Sequence, residues 1–130
     1  MKEIKKIGIW MDHSNAFLMD LSNDTIIENI IVSGFTPKEK ELSLEKNEKF
    51  MHNKEQQLQS SYYKKLSDVI KKYQEVVLFG PTDAKNELLN LLKSDHLFAN
   101  IKIEIKNTDK MPAIKMHDFV KAYFKNLLVQ

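Results

Sequence analysis

The 130-residue chain contains no cysteine, which excludes a disulfide framework and every zinc, haem or iron–sulfur site built on thiolates. A reducing, cytoplasmic location fits that absence. All twenty basic residues are lysine. Without arginine there is no planar guanidinium fork for bidentate recognition of phosphate or guanine, so no specific reading of DNA is expected. No apolar run approaches the roughly 20 residues needed to cross a bilayer as a helix, and no membrane partner is expected. The opening MKEIKKIGIWMD carries lysines, but Asp12 and His13 interrupt its apolar stretch before that of a signal peptide would end. No internal repeat, low-complexity tract or linker divides the sequence, and residues 1–130 read as one domain.

The residues that are present are those of an ordered protein. A hydrophobic fraction of 42% and a charged fraction of 29% lie far from the polar, highly charged composition of disorder. The net charge of +2 comes from interleaved lysines and acids, so no strong overall field is expected and nucleic-acid binding would need a local patch.

Lys5 to Asp12 alternates Ile7, Ile9 and Met11 with Gly8 and Trp10 and is apolar on both faces, as a central strand would be. His13, Ser14 and Asn15 form a turn cluster, and Ala16 to Leu21 is a second strand. After Ser22-Asn23-Asp24, Thr25 to Val32 supplies a third, β-branched strand; turns this short permit only antiparallel pairing. Ser33 to Asn47 is the longest irregular connection, of the length usually associated with function or mobility. A helix is predicted from Glu48 to Tyr73, with Met51, Leu58, Tyr62, Leu66, Val69, Ile70 and Tyr73 as its stripe. Glu75 to Phe79 reads as a buried strand closed by Gly80 and Pro81. Thr82 is the expected N-cap of a helix running to Lys93. Ile101, Ile103 and Ile105 alternate with charges in a sheet-edge strand, and a last helix covers Ala113 to Leu128. The order β-β-β-α-β-α-β-α predicts an α/β fold with a mixed five-stranded sheet covered by helices.

The segments SSYYKKLSDVIKKY, VVLFGPTDAKNELLNLL and NIKIEIK, in that order behind three strands, resemble the central domain of archaeal and eukaryotic class-1 peptide-chain release factors, of Pelota and of their compact relatives. The resemblance implies that domain's topology and association with the translation machinery, with ribosome or tRNA as partner. In that family a Gly-Gly-Gln loop before the long helix promotes hydrolysis of peptidyl-tRNA. The corresponding SGFTPKEKELSLEKNEKF has one glycine and no glutamine, so release-factor catalysis is not expected, nor is a cofactor.

Three sets of residues remain as candidates. Lys54, Lys64, Lys65, Lys71 and Lys72 on the long helix could follow an RNA backbone, with one of Tyr62 and Tyr63 stacking on a base while the other packs inside; the simpler reading is a solvated helix face. Gly80, Pro81, Thr82 and Lys85 stand at a strand-to-helix turn where unpaired N–H groups favour an anion, although the glycines and Lys-Ser/Thr pair of a Walker loop are missing. The element order is also that of the ribonuclease-H-like fold, in which Asp12, Asp83 and Asp118 would be the carboxylates of a metal-dependent nuclease. The leading expectation is a non-catalytic, translation-associated protein that binds RNA or the ribosome through the Ser33–Asn47 loop and the lysine-rich helix. A nuclease, or a protein-interaction module using the Ile101–Ile105 strand or the Ser33–Asn47 loop, is the alternative.

Overall fold

A computed structural model of the chain describes residues 4–22, 25–33 and 48–129, with the backbone alone for 48–55 and 126–129. The elements are β1 (Lys6–Met11), β2 (Asn15–Ser22), β3 (Thr25–Val32), α1 (Glu48–Ile70), β4 (Glu75–Gly80), α2 (Ala84–Lys93), β5 (Lys102–Asn107) and α3 (Ala113–Val129), with a 3₁₀ turn at His96–Phe98. The five strands form one mixed sheet in the order β3-β2-β1-β4-β5. β1 pairs antiparallel with β2 and parallel with β4, β2 pairs antiparallel with β3, and β4 pairs parallel with β5. The predicted α/β class, element order and central place of β1 are all observed.

The period-2 alternation of the strands sends side chains to two cores. Ile7, Ile9 and Met11 of β1 and Val76 and Leu78 of β4 join Tyr62, Leu66 and Ile70 of α1 and Leu88 and Leu92 of α2 on one face. Trp10, Val77 and Phe79 meet Met116, Val120 and Phe124 of α3 on the other. Each large apolar side chain taken fully out of water contributes about 1.5–3 kcal/mol, so β1 and β4, buried on both faces, anchor the sheet. Gly8 sits under α3 because a Cβ there would lie 2.3 Å from a Val120 methyl.

α1 stops three residues short of the sequence expectation. Lys71, Lys72 and Tyr73 form a closing turn, with Lys72 N donating to the Val69 carbonyl and Tyr73 N to that of Ile70. Gln74 then ties together the starts of three strands: its side-chain oxygen accepts from Lys5 N at 2.8 Å, and its carbonyl accepts from Lys102 N at 3.0 Å. At the opposite, carboxyl ends of β1 and β4, Gly80 takes φ +149° and packs so closely that a Cβ would lie 2.2 Å from the Met11 carbonyl oxygen. Only glycine meets both demands. The Ser33–Asn47 loop lies, from residue 34 onward, outside the described residues.

Candidate functional site

In open α/β sheets, ligands are commonly held beyond the carboxyl ends of parallel strands, and here those ends carry a hydrogen-bonded cluster. Asp12, just past β1, accepts backbone N–H bonds from Ser14 at 2.8 Å and Asn15 at 2.7 Å through one carboxylate oxygen. This fixes the tight β1–β2 turn in the manner of an Asx turn. The Tyr62 hydroxyl donates to the Asp12 carbonyl at 2.9 Å. Its neighbour Tyr63 donates to one Glu87 oxygen at 2.8 Å, while the other Glu87 oxygen lies 3.0 Å from His13 Nε2. His13 and Glu87 thereby join the β1–β2 turn to α2.

Both tyrosines of α1 are buried, and neither presents a ring for base stacking. The helix is covered on two sides, by the sheet and by α2, so side chains about 100° apart on its surface are both enclosed. Burial pushes the Tyr62 and Tyr63 hydroxyls well above their ordinary pKa of 10.0, with Asp12 adding for Tyr62 and the hydrogen bond to Glu87 for Tyr63. The bond to His13 holds the Glu87 carboxyl below its ordinary 4.5 against the opposing effect of burial, with Tyr63 assisting.

The Gly80–Lys85 turn is occupied by its own contacts. Asp83, not Thr82, stands at the N-cap position of α2, and its side chain makes no capping bond. Thr82 instead accepts from Ala84 N at 3.3 Å. Lys85 is 1% exposed and its ammonium donates to the Thr82 carbonyl. Its charge is turned inward, away from any anion in solution.

The three aspartates are not gathered. Asp12 serves the hairpin turn, Asp83 is exposed before α2, and Asp118 is exposed on α3, which covers the other face of the sheet. Among the described residues no group of three His, Asp or Glu side chains is placed to hold a metal ion.

The lysines of α1 behave differently. Lys64 and Lys65 in α1, and Lys71 and Lys72 in the turn that closes it, are all exposed. Lys54 stands in the same helix, and its side chain lies outside what is described. Lys64 and Lys71 edge a cleft of about 630 Å³ between α1 and α2, whose wall includes Ser60, Ser67, Leu91 and Phe98. The Lys71 ammonium lies 5.8 Å from the centre of the Phe98 ring and 3.8 Å from Asp68. Asp68 and Asp95 also line the cleft and balance the charges of Lys64 and Lys71, and Lys65 and Lys72 stand outside its lining.

The His13–Glu87–Tyr63 chain escapes sequence reasoning because its members are 24 to 74 residues apart. Phe98 escapes it because a lone aromatic after a helix has no periodic partner.

No protein-family model and no curated protein matches the sequence. Solved structures do. Pelota from Archaeoglobus fulgidus superposes with a TM-score of 0.62 at 9% identity, over 98% of this chain and 35% of that one. Pelota from Thermoplasma acidophilum gives 0.58 at 13% identity, over 90% and 32%. An archaeal translation termination factor gives 0.47 at 16% identity, over 96% and 38%. The chain thus spans about a third of the length of the structures it matches. Identities this low show fold alone, and the chain has the Pelota-like α/β domain fold anticipated from its sequence.

Proposed function

We propose that this chain is a non-catalytic, translation-associated domain that binds RNA of the ribosome or tRNA class through the exposed lysines of α1 and of the turn that closes it. One observation carries the reading: a Pelota-like fold presents Lys64, Lys65, Lys71 and Lys72 together on its surface. Exposed ammonium groups neutralise backbone phosphates without reading bases, which suits a chain that has no arginine. The simpler reading, a solvated helix face, predicts no salt-sensitive affinity for RNA.

Binding of this kind is governed by counterion release. Four phosphate contacts to a single-stranded segment give a slope of log affinity against log salt of about −3. Fluorescence anisotropy with a labelled tRNA, between low and moderate salt, measures it. The combined variant Lys64→Gln, Lys65→Gln, Lys71→Gln, Lys72→Gln is expected to lose both the affinity and the slope. Unchanged affinity in that variant would remove the lysine face from the site.

A further inference from the structure

The two edges of the sheet are built in opposite ways. β5 alternates its isoleucines with Lys102, Glu104 and Lys106, the charges that natural sheets place on an edge to prevent pairing. β3, TIIENIIV, has one charged residue, Glu28, and no lysine or proline. Glu28 is drawn toward α3, with its carboxylate 3.6 Å from His117 Nε2. Ile27 is 58% exposed, Ile30 58% and Val32 52%. Among the described residues no strand pairs with the outer side of β3. An eight-residue, apolar, unguarded edge is a template for another strand.

The sequence of β3 selects the occupant. The register with β2 places Ile27, Asn29 and Ile31 on the α1 side of the sheet, opposite Asp20, Leu18 and Ala16, and Ile26, Glu28, Ile30 and Val32 on the α3 side. Two copies joined by a twofold axis perpendicular to the sheet keep these faces in common, so the axis must pass through a residue. An axis at Glu28 sets two like charges directly opposite, which is destabilising. An axis at Ile30 sets Asn29 against Ile31 and Glu28 against Val32. An axis at Asn29 instead pairs Ile27 with Ile31 and Ile26 with Val32, lets two Asn29 amides face each other, and sets each Ile30 opposite Glu28 of the other copy. That register pairs more apolar residues directly than either alternative and keeps the two glutamates out of direct opposition, each carboxylate lying 3.6 Å from Nε2 of its own His117.

We propose that β3 pairs antiparallel with β3 of a second copy of this chain, with Asn29 on the twofold axis, so that two five-stranded sheets become one. The contact is isologous and closes on itself, which protects the edge without propagating into fibres.

The absence of cysteine makes the test direct. Directly opposed residues of an antiparallel pair have Cα atoms about 4.5–5.5 Å apart, inside the disulfide range of about 4.4–6.8 Å. Under mild oxidation Asn29→Cys is expected to give a covalent dimer, whereas Ile27→Cys, displaced along the strand from its own copy, is not. Sedimentation equilibrium of the unmodified chain is expected to show twice the 15.2 kDa of the monomer, and Ile27→Lys with Ile30→Lys to weaken association at least tenfold. A 15.2 kDa species at every concentration, or equal cross-linking through residues 27 and 29, overturns the proposal.

Discussion

Glu87 and His13, 74 residues apart in sequence, meet at 3.0 Å and pin the β1–β2 turn to the first turn of α2. Both side chains are nearly half exposed, so the pair belongs to the class of ion pairs worth about 0–1 kcal/mol. Glu87→Gln keeps an acceptor for Tyr63 and is expected to cost no more than that near neutral pH. The folded Glu87 carboxyl titrates below its ordinary 4.5. Its contribution is therefore complete above the unfolded value and disappears as pH falls through the folded one. Urea unfolding of both proteins should show a gap that closes as pH falls below about 5; a gap that persists in acid contradicts the assignment.

Tyr62 has the opposite sign. Its hydroxyl ionises near 10.0 when unfolded and well above that when folded, so the stability it contributes is whole below pH 10.0 and declines as pH rises past it. Alkaline titration followed at the tyrosinate absorbance should show delayed ionisation that coincides with unfolding. Tyr62→Phe leaves the Asp12 carbonyl without this donor and is expected to cost about 1 kcal/mol, measured by urea unfolding at neutral pH. A variant as stable as the parent would mean that the carbonyl is satisfied in another way.

The two close-packed glycines should respond differently to a methyl group. Gly8→Ala collides with the Val120 side chain, a typical overpacking cost of about 1–3 kcal/mol, and Val120→Ala in the same chain should recover part of it. Gly80→Ala meets the Met11 main-chain carbonyl at a φ of +149°, where no side chain can yield, and is expected to be the more damaging. A double-mutant cycle at positions 8 and 120 gives the coupling; additive losses would exclude the contact.

Lys85 is buried with its ammonium turned onto the Thr82 carbonyl. Replacing it by methionine removes the desolvation cost of the ammonium and takes a donor from the Thr82 carbonyl, two effects of opposite sign. Lys85→Met is expected to change the melting temperature little and to leave RNA affinity unchanged. A selective loss of RNA binding would return Lys85 to the anion site that its sequence position suggested.

The element order was legible because each segment carries a clear period: Ile7, Ile9 and Met11 alternate, and Met116, Val120 and Phe124 recur at helical spacing. Three features were not. The helical stripe runs past the carboxyl end of α1 because Tyr73 still fits it, packing against the core from the turn beyond. The enclosure of both Tyr62 and Tyr63 depends on α2, which approaches from a distant part of the chain. The exposure of β3 was missed because a β-branched run reads alike at the centre and at the edge of a sheet; only the observed strand order places it outermost.

The role of the exposed lysines of α1 and of its closing turn is tested most directly by sedimenting the tagged chain from a low-salt lysate through a sucrose gradient, and repeating the run at high salt. The expected result is migration with ribosomal particles, release by salt, and loss of co-sedimentation when Lys64, Lys65, Lys71 and Lys72 are changed to glutamine. A chain that stays at the top of the gradient at both salt concentrations contradicts the proposed association with the translation machinery.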